Sequence, residues 1–154
     1  MQSGTVESIH LASVESGPTF AVGRVRALAG RGLEGDRNLL APGADGAGRS
    51  GEDLTLIEAE AIEGLARDTG IELGPGGSRR NLVTRGIRLN DLVGRRFTVG
   101  GVPCLGVERC EPCNHLQGLT APGVLRGLVH RGGLRADLLG DGEIAVGDAV
   151  VAEA

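Results

Sequence analysis

The sequence predicts a mostly β chain with a few helices, folded as a single domain over residues 1–154 in a barrel or sandwich. Three observations carry that expectation. Short apolar–polar alternations recur along the chain between glycine-rich turns. Strands and helices do not alternate in the repeating way that a doubly wound sheet requires. The apolar fraction of 40% is enough for one core, since a domain of this size buries roughly 70% of its extended surface. That core must be aliphatic, because Phe20 and Phe97 are the only aromatic residues.

In chain order, Val6, Ile9, Leu11 and Val14 mark a first strand that ends at Glu15-Ser16-Gly17-Pro18. A second alternation from Phe20 to Leu28 predicts a hairpin with it, or two adjacent strands. Three glycines then flank charge in Gly30-Arg31-Gly32-Leu33-Glu34-Gly35-Asp36-Arg37, and residues 41–52 read as a flexible surface loop. Leu54 to Ile57 is a short strand entering a helix from Glu58 to about Thr69, with Ala61, Ile62, Leu65 and Ala66 on its apolar face and Gly70 as C-cap. Ser78 to Gly86 is expected to be a strand loaded with arginine, and Asn90 to cap one helical turn. Arg96–Val99, Gly100-Gly101 and Val102–Val107 spell a hairpin. Thr120 to about His130 is a helix candidate. Ala136–Leu139 and Glu143–Val151 are read as a closing strand pair around Gly140-Asp141-Gly142.

Charge and composition narrow the partners. The net charge is −4, which gives no general reason to expect nucleic acid or an anionic membrane. The lack of aromatic platforms points the same way for single-stranded nucleic acid. The charge is split, however: residues 1–77 carry 6 Arg against 12 acids, and residues 79–135 carry 10 Arg against 3. Every basic side chain is Arg, whose planar fork grips phosphate or carboxylate with two hydrogen bonds. Residues 1–30 lack an unbroken apolar segment of signal-peptide type, and no apolar run approaches 18 residues. Three cysteines in such a chain suit a reducing, cytoplasmic setting, where thiols serve as ligands or nucleophiles.

Two of those cysteines lie in Arg109-Cys110-Glu111-Pro112-Cys113-Asn114-His115-Leu116. Taken alone, Cys110-x-x-Cys113 has three readings. It supplies two adjacent ligands of a zinc site, completed by Cys104, His115 or His130. It is a dithiol redox pair. Or the thiols are small buried hydrophobes, which suits Cys104 within its strand better than the polar segment around Cys110 and Cys113.

Read together, Gly32-Leu33-Glu34-Gly35-Asp36-Arg37, Arg79-Arg80-Asn81-Leu82-Val83-Thr84-Arg85-Gly86-Ile87, Cys110 to Leu116 and Gly147-Asp148-Ala149-Val150 resemble a MOSC domain of the small stand-alone bacterial type. This is the domain found at the C-terminus of molybdenum-cofactor sulfurases and in amidoxime-reducing components. The motifs span nearly the whole chain in the family's order, and the family's barrel-like fold agrees with the strand pattern.

The resemblance implies a site for a molybdopterin-type cofactor, with a family cysteine either ligating molybdenum or carrying sulfur. Cys113 matches that position, and Cys110 matches a cysteine that only some members have. Arg80 and Asn81 match the family's Arg-Asn element. Because the cofactor ends in a phosphate or nucleotide diphosphate, Arg79, Arg80, Arg131 and Arg135 are candidate anion clamps. Asp36 and Arg37 match a Gly-Asp-Arg motif that many members continue with His, where this chain has Asn38. His115 is a candidate donor to cofactor or substrate, and His130 another.

The implied function is a small oxidoreductase reducing N-hydroxylated compounds with an external electron donor, or a sulfur carrier loaded on Cys113 by a cysteine desulfurase. The rival expectations are a non-catalytic cofactor-binding or delivery module and a zinc- or dithiol-stabilised scaffold. An oligomer is compatible with all of them. The chain has no Lys, so a pyridoxal phosphate Schiff base on a lysine side chain is impossible.

Overall fold

The computed structural model describes residues 2–44, 46 and 48–153. Strands β1 (Ser3–Ala12), β2 (Thr19–Val22), β3 (Arg24–Leu28), β4 (Gly32–Leu33) and β5 (Leu54–Glu58) lead into helix α1 (Ala59–Thr69). Strand β6 (Leu82–Arg85), a 3-10 turn at Leu89–Leu92, β7 (Arg96–Val99) and β8 (Val102–Arg109) follow. Two short helices, α2 (Asn114–Leu119) and α3 (Val124–Gly127), precede β9 (Leu134–Leu138), β10 (Gly142–Ala145) and β11 (Ala149–Ala152).

Seven strands close a barrel in the order β1-β11-β7-β8-β9-β5-β6, with β6 returning to β1. Strand β1 makes closure possible by serving three partners along its length. Ser3–Thr5 pair with β11, Thr5–Ile9 with β6, and Ile9–Ala12 with β2. A bulge between Val6 and Ser8 shifts its register, which explains why Val6 and Ile9, three residues apart, both face the core. A second bulge between Gly106 and Glu108 bends β8. Among the strands described, only β5 and β6 pair in parallel, and α1 is their crossover. A small second sheet, β10-β3-β4, covers one flank.

The barrel interior is aliphatic apart from Phe97, with Ile9, Leu54, Leu56, Leu82, Leu134 and Val150 among its buried residues. Each such side chain contributes about 1.5–3 kcal/mol on burial. A separate cluster outside the barrel joins Leu65 of α1 to Leu116 of α2 and to Val124 and Leu128. That cluster fixes α2, and with it Cys113, against the barrel wall.

Several expectations change. The alternation from Phe20 to Leu28 divides at Gly23, so that β2 pairs with β1 and β3 joins the small sheet. The segment from Ser78 is not strand until Leu82: Arg79 has φ 63° and turns the chain. The 3-10 turn begins after Arg88, and the Asn90 amide donates instead to the His130 carbonyl at 2.9 Å. Of the helix expected over residues 120–130, only Val124–Gly127 is helical, and a separate short helix with Cys113 as its N-cap precedes it at Asn114–Leu119. The final strands do not pair with each other. Asp141 accepts from the Ala29 amide at 2.7 Å, β10 runs along β3, and β11 closes the barrel. In the 41–52 loop, the described residues are anchored by Arg49, which donates to the Arg31 and Asn38 carbonyls, and by the Gly51 amide, which donates to Asp137. Positions 45 and 47 lie outside the described residues.

Candidate functional site

The three thiols have three different settings. Cys104, on β8 inside the barrel, is fully buried, and burial pushes its thiol up to about 12. Cys110 is 1% exposed; its amide donates to the Gly133 carbonyl at 2.8 Å, and its carbonyl accepts from Arg80 at 3.0 Å. Cys113 alone is exposed. It caps α2, its sulfur accepting from the Leu116 amide at 3.5 Å. The two cysteines of the Cys-x-x-Cys motif are therefore not equivalent.

Cys113 opens on a cleft of about 220 Å³ lined by Arg37, Arg79, Arg80, Arg135 and His115, together with Glu15, Ser16 and Asn38. Three of these arginines are held at one end by protein carbonyls. Arg80 donates from Nε to Gly132 O at 2.8 Å and from Nη2 to Cys110 O at 3.0 Å. Arg79 donates from Nη1 to Gly17 O at 2.7 Å. Arg37 donates from Nη2 to Arg79 O at 3.1 Å and pairs with Asp36 through Nη1 at 3.1 Å. Arg135 projects from β9 and lies 4.0 Å from the Glu108 carboxylate.

Positive charge is concentrated here beyond its counterions. Burial, then the charges of Arg135 and Arg37, push Arg80 below the usual guanidinium range, while Cys110 and Cys113 oppose the shift. Burial, then Arg37, do the same to Arg79 against the pull of Asp36. The guanidiniums remain cationic, so the crowding acts as a standing attraction for an anion. Backbone strain gathers at the same place. Three non-glycine residues among those described have positive φ, and two of them, Ser16 (60°) and Arg79 (63°), line the cleft.

Of the residues singled out from the sequence, Cys113, Arg37, Arg79, Arg80, Arg135 and His115 meet in this cleft. The others do not line it. Asn81 is buried beneath it: its Oδ1 accepts from the Thr55 amide and hydroxyl at 3.1 Å, and its Nδ2 donates to the His10 carbonyl at 3.2 Å. The Asp36 carboxylate is occupied by the Ala12 and Asn38 amides and by Arg37. Arg131 reaches the other way, donating to Gly127 O and to Asp68. His130 is tied to Glu111 at 3.1 Å on an exposed edge. Sequence reasoning missed Ser16, whose hydroxyl is 3.0 Å from His115 Nε2. The β1–β2 turn carried no motif to mark it. Asn38, standing where many MOSC members have His, does line the cleft.

A family profile described as MOSC domain matches residues 44–151. The chain belongs to the MOSC domain family. The fold agrees: YuaD from Bacillus subtilis superposes with a TM-score of 0.78 at 18% identity, over 96% of this chain and 94% of that one. YiiM from Geobacillus stearothermophilus gives 0.72 at 15% identity, over 98% and 75%, and YiiM from Escherichia coli 0.68 at 18%, over 100% and 70%. No curated protein matches the sequence.

The donor set of this MOSC domain can be tested against the family's cofactor. Among the described residues no three His, Cys, Asp or Glu side chains converge on a point, so a bare zinc ion lacks its usual four protein ligands. A metal that arrives with its own anionic organic ligand needs less: one soft thiolate and a cationic grip. Cys113 and the four arginines supply those two things. Among the described residues no helix is long and apolar enough to cross a membrane.

Proposed function

We propose that this MOSC protein binds a molybdopterin-type cofactor, with Cys113 as the protein's ligand to molybdenum and the arginines around it gripping the cofactor's phosphate. The observation that carries the reading is the meeting of the one exposed cysteine with Arg37, Arg79, Arg80 and Arg135 in a single cleft. A phosphate oxygen within about 4 Å of one guanidinium gains on the order of 4 kcal/mol at an effective dielectric of about 20. Several such partners offset the cost of removing the phosphate from water.

When bound, the cofactor supplies two-electron chemistry at molybdenum, which suits reduction of an N-hydroxylated compound to its N–H parent and water. The chain's own groups bind and orient. Arg80 is fixed by two backbone carbonyls, so its remaining Nη1 is presented at little further entropic cost. Pairing with Asp36 and Arg79 O holds Arg37 in the same way. His115, hydrogen-bonded to Ser16, supplies a further polar contact beside the thiol. Electrons come from an external donor protein.

The exposure of Cys113 also favours a second reading, in which a cysteine desulfurase loads it with persulfide sulfur. Molybdenum analysis of protein from a host that makes molybdopterin decides between them. The first reading expects close to one molybdenum per chain in wild type and in Cys110→Ala, and none in Cys113→Ala. Wild-type protein without molybdenum overturns it, and a persulfide on Cys113 after incubation with a desulfurase and cysteine then supports sulfur carriage.

A further inference from the structure

We propose that Cys113 is a charge-selective site of S-thiolation, exchanging with the disulfide of a small thiol that carries carboxylates. The exchange belongs to the cofactor-free chain and does not depend on the molybdenum reading.

Of the three thiols, Cys113 alone is placed to react. Cys104 is fully buried and Cys110 is 1% exposed, whereas Cys113 is exposed and opens on the arginine cleft. A disulfide that approaches it meets Arg37, Arg79, Arg80 and Arg135, with Glu15 as the acid in the lining. The charge of these arginines is poorly compensated. Arg79 and Arg80 are held by the carbonyls of Gly17, Gly132 and Cys110, which fix the guanidiniums without neutralising them. Asp36 pairs with Arg37 at 3.1 Å, and Glu108 stands 4.0 Å from Arg135.

Arg80 marks the cleft as built for an anion. It is 9% exposed, yet it lines the cleft, and its bonds to Gly132 and Cys110 use Nε and Nη2 and leave Nη1 for a ligand. A carboxylate there gains a charge-assisted hydrogen bond from a donor that is already fixed. A positive cleft also raises the local concentration of a negatively charged reagent and lowers that of a positive one.

There is room for the body of such a reagent. At about 220 Å³ the cleft alone falls below the roughly 300–1,000 Å³ usual for small-molecule sites. It adjoins a second cavity of about 330 Å³, however, and Arg79 and Leu119 line both. The second cavity is kept open at Gly76-Gly77. A Cβ on Gly77 would collide with the Leu73 carbonyl, and one on Gly76 would come within 3.1 Å of Thr19 Oγ1. Arg79 can therefore meet a carboxylate on either side.

The step needs no reactant beyond the disulfide itself. Cys113 gives its proton to solvent, and its sulfur attacks one sulfur of the reagent. A bond forms between those two sulfurs while the reagent's S–S bond breaks. The electron pair leaves on the second sulfur, which departs as a thiolate and takes up a proton. Cys113 is oxidised and the departing half is reduced; excess free thiol reverses the exchange.

The test incubates metal-free, full-length protein with glutathione disulfide (net negative), 2-hydroxyethyl disulfide (neutral) or cystamine (net positive). Intact mass and peptide mapping follow the adduct at Cys113. Each rate is divided by that reagent's rate at Cys113 in the urea-unfolded chain, which removes the reagent's intrinsic reactivity. One adduct per chain is expected, at Cys113, with the normalised rate for glutathione disulfide about tenfold above that for cystamine and the neutral reagent between. Arg135→Gln, a change at a half-exposed side chain, should cut this preference about threefold, and raising the salt concentration should erode it in wild type. Equal normalised rates would mark an ordinary exposed thiol and overturn the proposal. So would adducts at Cys104 or Cys110 in the folded chain, or a preference that salt leaves unchanged. The salt series on wild type decides the matter even if Arg135→Gln does not fold.

Discussion

Arg80 Nη2 donates to the Cys110 carbonyl at 3.0 Å while its Nε donates to the Gly132 carbonyl at 2.8 Å. One buried guanidinium thereby ties the cysteine segment to the glycine turn before β9. Both acceptors lie on backbone outside the strands, where the Arg80 fork adds to the bond from the Cys110 amide to the Gly133 carbonyl at 2.8 Å.

Lysine cannot reproduce this fork. Arg80→Lys keeps the charge but offers a point donor in place of two divergent N–H groups. A charge-assisted hydrogen bond is worth about 1.5–3 kcal/mol, so the substitution should cost about 2 kcal/mol in urea unfolding. Anion binding in the cleft should weaken with it. A stability equal to wild type would mean that the two carbonyls are held by other contacts.

Asn81 should behave as a structural residue. Its side chain bridges the Thr55 amide and hydroxyl on β5 to the His10 carbonyl on β1. Asn81→Ala takes this partner from the Thr55 amide and the His10 carbonyl, each at about 1–3 kcal/mol, while the Thr55 hydroxyl still accepts from the backbone amide of residue 81. The expected loss is about 3 kcal/mol by urea unfolding, with phosphate affinity of the folded protein unchanged. A variant of normal stability with impaired phosphate binding would restore Asn81 to the ligand site.

The same residues show what was legible in the sequence. Strand hairpins with local turns, such as β7–β8 across Gly100-Gly101, could be read because turn chemistry and alternation both lie within a few residues. The seam that closes the barrel could not, since β1 meets β11 at Ser3↔Val151 across nearly the whole chain. At the site, residue type separated the cysteines from their surroundings, and the resemblance singled out Cys113. Neither distinguished arginines that face the cleft from Arg131, whose partner is Asp68 on α1. An Arg-Asn pair reads as one motif in sequence, but adjacent residues point in different directions, and only Arg80 reaches the cleft. Ser16 became visible only through its strained backbone and its bond to a residue 99 positions away.

Cys104 should make stability fall at alkaline pH. Burial raises its thiol from an ordinary value of 9.0 to about 12 in the folded state. The unfolded chain thus loses this proton first. The stabilisation is complete below pH 9 and is lost as pH rises toward about 12. Comparing unfolding free energies of wild type and Cys104→Val from pH 8 to 11.5 isolates the contribution: wild type should fall more steeply. Parallel curves would show that the thiol ionises equally in both states.

Gly133 should be the least replaceable glycine near the site. It has φ 118°, and a Cβ there would run into the Leu56 carbonyl, part of the β5–β9 pairing. Its own carbonyl accepts from the Cys110 amide at 2.8 Å, so any shift of this turn moves the cysteine segment. Gly30 provides the comparison: its φ is 68° but a Cβ would meet nothing within 4 Å. Gly30→Ala should therefore cost only the left-handed backbone strain, about 1 kcal/mol. Gly133→Ala adds a collision with main chain that no rotamer change relieves, and should cost about 3 kcal/mol or prevent folding. Thermal and urea unfolding of the two variants would separate strain from collision. If both cost the same, the Leu56 carbonyl yields easily, and the cysteine segment is held less firmly than its hydrogen bonds imply.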